Sequence, residues 1–371
     1  MKAARSKMLS QVLGALRPRH QRSLVACDEI VGGDTILKTP LVVHQERNVL
    51  LIPIGQPHKP GVYDHNGQIV RAAAYFRGLP EAHFPLEDVA TDLPHDSVPY
   101  APDGPTYVFA GHLTGHYGHF LFSMLGRLWS LPRPVPPSFK LVLLNGISYA
   151  DLFDLDFARA MFEALGITPQ HFADFREPVR FKELLVPDPS IEENHAGHPA
   201  FAELCHFIGK SVLSDQRASV SKARAGQRPV FLTKRKLSSG VHSISNEDEF
   251  CAVLEQKGVE IISPEQLSFR DQLAIWDSRS MIMGMSGSML HTSIFVPGRK
   301  YTALNPEAWI NSNQSILDQL NGNRSSTLYP RNGYIRKDAA EGFGNVLELA
   351  QPESTAHDFM EEAKRFYSRR A

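Results

Sequence analysis

From residue 229 onward, apolar and polar positions change period in a regular way. PVFLT (229–233), VEIIS (259–263), SMIMG (280–284) and YTALN (301–305) are short apolar runs of strand length. Between them, NEDEFCAVLEQKG (246–258), SFRDQLAIWDS (268–278) and SMLHTSIF (288–295) space their apolar residues for one face of a helix. Four strands alternating with three helices predict a doubly wound α/β unit around a parallel sheet. Asn246 with Glu249, and Ser268 with Asp271, have capping-box spacing, and Gly258 is placed to close the first of these helices.

The first half is less regular. TPLVVHQ (39–45), RNVLLIPIG (47–55) and VYDHNGQIVRAAAYF (62–76) predict a β-rich entry, with Asn66-Gly67 as a hairpin turn. YVFAG (107–111) and KLVLLNG (140–146) predict buried strands. A helix is expected from His119, with Phe120, Met124, Arg127 and Leu128 on one face, ended by the prolines at 132, 134, 136 and 137. A second helix is expected over residues 151–166 and a loop over 187–199. The polar stretch SDQRASVSKARAGQRP (214–229) marks a boundary. The organisation expected is an N-terminal α/β domain (1–220), a C-terminal Rossmann-like domain (221–330), and a tail (331–371) whose helix packs back on the N-terminal domain.

A length of 371 residues suits two domains. The net charge of -1 argues against a nucleic-acid partner. Three scattered cysteines, Cys27, Cys205 and Cys251, exclude a disulfide scaffold and fit a reducing, cytoplasmic setting. No run is long enough to span a bilayer. Residues 1–22 carry six Lys or Arg and no acid, with Met8, Leu9, Val12, Leu13 and Leu16 at helical spacing. They read either as a helix docked on the protein or as a peripheral contact with the inner face of the membrane.

Two segments fall at predicted strand ends, where ligands bind in open α/β sheets. One is Lys234-Arg235-Lys236 after PVFLT, and the other is Ser286-Gly287-Ser288 after SMIMG. Backbone amides at a helix start, a close-approach glycine and a bidentate guanidinium at Arg235 would suit a diphosphate. The same residues also suit a helix-capping turn and a solvated charge run. Neither GxGxxG nor a Walker loop is present. GHLTGHYGHF adds His112, His116 and His119. Their spacing of four and three fits metal ligands on a helix, but Gly111, Gly115 and Gly118 oppose a helix there. A metal-dependent hydrolase, a substrate-lining loop with a histidine base and a packed turn all remain open.

HYGHFLFSMLGRLW, FLTKRKLSSGVHSISNEDEF, GMSGSMLHTSIFVPG and YTALNP, in this order over about residues 105–310, resemble glycosyltransferase family 61, which includes bacterial capsule and polysaccharide biosynthesis proteins. The resemblance implies a GT-B-like α/β fold, with two Rossmann-like domains facing a cleft. It also implies a nucleotide-sugar co-substrate held mainly by the C-terminal domain, a saccharide or glycan acceptor, inversion, and no cofactor or obligatory metal. By position, His119 and Arg127 match the family's His and Arg-Leu motifs, Arg235 its arginine after the first C-terminal strand, and Gly287, Ser288 and His291 its small-residue loop and helix. The expected roles are base for His119 with His116 behind it, cleft structure for Arg127, and diphosphate binding for Lys234, Arg235, Ser286, Gly287, Ser288 and His291. Glu307 is either a ribose ligand or a surface acid. Bacterial relatives often carry an acid where Ser123 and Ser286 stand, which leaves a catalytically degenerate binding protein as the alternative.

Overall fold

A computed structural model describes residues 23–75, 77–78, 95–112, 115–144, 148–214, 228–338 and 342–369. The basic N-terminal segment and most of the 214–229 boundary lie outside the described residues. Two six-stranded sheets dominate. Their strands are β1 (Leu24–Ala26), β2 (Val43–Ile52), β3 (Gly61–Tyr63), β4 (Thr106–His112), β5 (Phe139–Leu144), β6 (Phe172–Ala173), β7 (Val179–Pro187), β8 (Val230–Leu232), β9 (Glu260–Ile262), β10 (Ile282–Met285), β11 (Lys300–Leu304) and β12 (Arg324–Pro330).

The first sheet has the order β3-β2-β7-β4-β5-β6. Its β3-β2-β7 edge is antiparallel, and β7-β4-β5-β6 runs parallel. The Asn66-Gly67 turn forms as expected. The Asp64 carboxylate accepts from Asn66 N and Gln68 N, Gly67 takes a positive φ of 76°, and Tyr63 bridges Ile69.

The second sheet has the order β1-β12-β11-β10-β8-β9. All its pairs are parallel except β1 with β12. Counted from β8, the parallel strands run 2-1-3-4-5, so the chain reverses its winding direction between β8 and β10. In open α/β sheets such a reversal is where a crevice forms, at the carboxyl ends of the two strands. Their side chains are apolar on both faces, as a sheet covered on both sides requires. Val230, Leu232 and Ile282 join a large core with the α-helix Pro199–Ser214, while Phe231, Met283 and Met285 join a separate cluster on the other face.

In chain order the α-helices are α1 (Tyr117–Ser123), α2 (Tyr149–Asp154), α3 (Asp156–Leu165), α4 (Pro199–Ser214), α5 (Glu247–Gln256), α6 (Phe269–Ser278), α7 (Ser312–Asn321) and α8 (Pro352–Ser368). The helix expected over 151–166 is two helices, broken at the extended Leu155. A tertiary contact accompanies the break: the Asp156 carboxylate accepts from Phe269 N at 2.6 Å and caps α6. Ser268 caps α6 through Asp271 N as its spacing predicts. Asn246 does not close a capping box. Its amide instead bonds both Leu349 N and Leu349 O, tying α5 to the strand Phe343–Leu349. The segment expected as a loop over 187–199 carries two short strands, Ile191–Glu192 and Ala196–Gly197.

The tail helix α8, expected to return to the first half, packs instead on the second sheet. Ala356, Phe359, Met360 and Ala363 form a buried stripe at helical spacing. Phe359 meets Phe231 and Phe250 at ring distances of 6.0 and 5.7 Å. The Tyr367 hydroxyl accepts from Ile282 N at 2.9 Å, fixing the helix end to β10. The face of the sheet carrying Phe231 is apolar and opposite the α4 core, so burying it on this stripe is the favourable outcome.

Candidate functional site

Two chain segments meet at the crevice between β8 and β10. The first is the start of α1. His116 caps this helix, its Nδ1 accepting from His119 N at 3.5 Å, and its ring lies 4.9 Å from that of His119. The second is the turn after β10. Gly287 has φ 152° and ψ -178°, a conformation largely restricted to glycine. A Cβ on Gly287 would sit 2.6 Å from Lys234 Nζ, so the absent side chain is what admits the ammonium. A Cβ on Gly118 would lie 3.2 Å from Ser288 Cβ, which puts α1 directly against this turn. Tyr117 Oη and Thr292 Oγ1, 2.9 Å apart, join the same two segments.

The turn leads into a 3-10 helix, Ser288–Phe295, rather than an α-helix. Ser286 N is engaged with Leu304 O, and Leu290 N with Gly287 O. The N–H groups of Gly287 and Ser288 lie ahead of any intrahelical acceptor, and the Gly287 cap makes no side-chain bond. Burial draws the Lys234 ammonium down to about 8, with Glu247 opposing the shift, so it remains mostly charged at neutral pH.

Arg235 differs from its expected position. Its guanidinium bonds the exposed Asp248 carboxylate at 2.9 Å on the outside of α5. The cation at the glycine turn is therefore Lys234. Glu307 also stands apart, pairing with His242 Nε2 at 3.4 Å.

Glu193 stands against His119 at the start of α1, and sequence reasoning did not identify it. It is 4% exposed. Its carboxylate receives His119 Nδ1 at 3.2 Å and the Tyr75 hydroxyl, and Arg77 Nε lies 3.4 Å away. Burial would raise its pKa, but the bonds from His119 and Tyr75 outweigh that and hold it at about 2. An ionised carboxylate only accepts, so Nδ1 of His119 carries a proton, which leaves Nε2 as the ring nitrogen that can serve as acceptor. The His119 side chain is 41% exposed and open to a ligand.

The remaining expected residues fall into two groups. His291, half-buried and edge-on to Phe122 at 5.7 Å, is pushed down to about 4 by desolvation, while Glu193, His116, His119 and Lys234 all act on its charge. It thus stands neutral between the two segments, and its buried Nδ1 has no partner among the described residues. Arg127 is structural: its guanidinium donates to the carbonyls of Ala72, Ala74 and Pro187 and stacks over Phe109, and burial lowers it to about 10. The Ser123 hydroxyl donates to His112 O and His119 O, so it braces the backbone of α1. His112 ends β4 beside Tyr75. Among the described residues no group of three or more His, Cys, Asp or Glu is arranged to hold a metal ion.

Residues 117–303 match the family model described as Glycosyltransferase 61, about half of the chain. That span runs from the first residue of α1 into β11 and so contains both segments of the crevice. No curated protein matches the chain at the significance required. Among the described residues no helix is long and apolar enough to cross a membrane.

Proposed function

The chain belongs to glycosyltransferase family 61, and from that premise we propose that it is an inverting, metal-independent enzyme moving a sugar from a nucleotide-sugar donor to a hydroxyl of a saccharide or glycan acceptor. The observation that carries this reading is the meeting of a carboxylate-oriented histidine and a lysine-lined glycine turn across one crevice. In the reaction, the acceptor O–H gives its proton to His119 Nε2 as its oxygen attacks the anomeric carbon. The bond from that carbon to the diphosphate oxygen breaks on the opposite face. Glu193 stabilises the imidazolium that forms, a role its low pKa suits because it stays ionised. The departing diphosphate is stabilised by Lys234 and the N–H groups of Gly287 and Ser288.

His116, engaged through Nδ1 as the helix cap, supports the histidine pair. Ser286 and His291 complete the donor side in this reading, while Arg235 and Glu307, engaged with Asp248 and His242, stay at its rim. Arg127 holds the cleft wall. The biological setting we propose is polysaccharide biosynthesis, of the capsule or exopolysaccharide kind, at the cytoplasmic face of the membrane with the basic N-terminus as a peripheral contact. The binding-protein alternative rested on the serines at 123 and 286. Glu193 supplies a carboxylate from another segment, which favours the active enzyme.

Calorimetric titration with uridine, guanosine, cytidine and adenosine diphosphates tests the donor side. One of them is expected to bind, and Lys234→Ala to weaken it by about ten-fold or more, the value of a charged hydrogen bond. Unchanged affinity in that variant would remove Lys234 from the site.

A further inference from the structure

Glu247, the first residue of α5, is a carboxylate only 2% exposed that the catalytic scheme does not use. Its Oε1 accepts from the Thr233 hydroxyl and from Lys234 N at 3.1 Å. Thr233 Oγ1 in turn accepts from Arg235 N at 3.2 Å. The three residues that leave β8 at the winding reversal are therefore all tied, directly or through one hydroxyl, to a single buried acid. This tie sends Lys234 toward Gly287 and Arg235 outward to Asp248.

We propose that Glu247 is a positioning residue of the donor site. Its carboxylate locks the end of β8 so that Lys234 faces the glycine turn, and it supplies the counter-charge against which that ammonium is held. The value of this to catalysis rests on the reading of Lys234 as a diphosphate ligand; the effect on Lys234 itself does not. Groups from every packed element act in this field. His291 from the 3-10 helix and His242 from the strand Gly240–Ile244 feel the Lys234 charge and are each pushed toward the neutral form, first by burial, while Tyr334 and Cys251 lie near Glu247. Glu247 is the acid that favours a charged Lys234. Burial raises Glu247 above the ordinary carboxylate range, and the Thr233 hydroxyl, Lys234 N–H and Lys234 charge each pull it back. A helix N-terminus also favours the anion.

Competitive acetylation of the full-length chain across pH, read on the peptide carrying Lys234, measures the titration of this lysine without any ligand. In Glu247→Gln, which keeps an acceptor oxygen but not the charge, the midpoint is expected to fall by about one pH unit. Glu247→Asp, which keeps the charge, is expected to stay near the wild-type midpoint even if it is less stable. An unmoved midpoint in Glu247→Gln, or the same shift in both variants, would overturn the proposal. Titration with the nucleoside diphosphate that binds gives the second readout. With the midpoint lowered by that unit, Glu247→Gln should lose roughly five-fold in affinity at pH 8 and less than about two-fold at pH 6.5. A loss equal at both pH values would mean a merely structural role. If none of the four diphosphates binds wild type, the donor-site reading falls, and the acetylation result still decides for or against Glu247.

Discussion

The two walls of the crevice are built in different ways. On the wall proposed to hold the donor, Lys234 and Gly287 sit beyond neighbouring strand ends of one parallel sheet. Lys234 follows β8 and Gly287 follows β10, so the winding reversal brings them together. On the acceptor wall, His119 meets Glu193 across 74 positions, and Glu193 meets Tyr75 across 118. The donor wall is a consequence of topology. The acceptor wall depends on separate segments being clamped in place: Asn194 N donates to Asn313 Oδ1 at 2.6 Å, Gly78 N to Glu193 O at 2.8 Å, and Arg127 anchors residues 72–74 to the end of β7. The clamp at Asn313 comes from α7, so the C-terminal part of the chain holds the acid that orients the histidine.

This contrast predicts separable defects. The largest belongs to the acceptor wall. Glu193→Gln should lower turnover on the order of 100-fold, measured as nucleoside diphosphate released from the nucleotide sugar, because the imidazolium loses its counter-charge. Diphosphate affinity should change by less than about two-fold. A matching loss of affinity would mean that the two walls are not independent.

An intermediate effect concerns acid stability. Glu193 has a pKa of about 2 in the folded protein against an ordinary 4.5, so the unfolded chain takes up the proton first as pH falls. Its contribution, about 3 kcal/mol, is complete above about pH 4.5 and lost as pH drops toward 2. The gap in urea midpoint between wild type and Glu193→Gln should therefore narrow over that range. A gap constant with pH would mean that the carboxylate is not held ionised.

The smallest effect is expected on the donor wall. Arg235→Ala should change diphosphate affinity by no more than about three-fold, since its guanidinium is engaged in an exposed pair with Asp248. A ten-fold loss by calorimetry would return Arg235 to the diphosphate.

Much of the fold was legible because local rules govern it. The strands and helices of the second sheet follow their apolar periods, Ser268 caps where its spacing says, and Asn66-Gly67 turns where its backbone preferences demand. Local reasoning failed wherever a distant partner intervened. Asn246 left its capping box for Leu349, and α2 and α3 are separate where one helix was expected, with Asp156 capping α6. The neighbouring residues Lys234 and Arg235 were separated by Glu247, a residue 13 positions away. Glu193 carried no motif at all. It lies in a polar stretch that reads as a loop, and only its burial under Tyr75 and His119 distinguishes it from a solvated acid.

The amino-acid order alone thus determined that a parallel sheet forms after residue 229, that a glycine turn follows its third strand in the chain, and that a histidine-bearing helix precedes it. These are consequences of side-chain period and backbone freedom, which act over a few residues. Which cation faces the turn, which acid orients the histidine, and which sheet the last helix covers were decided by the tertiary structure. Each depends on desolvation and charge pairing between groups far apart in the chain, and those energies exist only once the chain has brought the groups together.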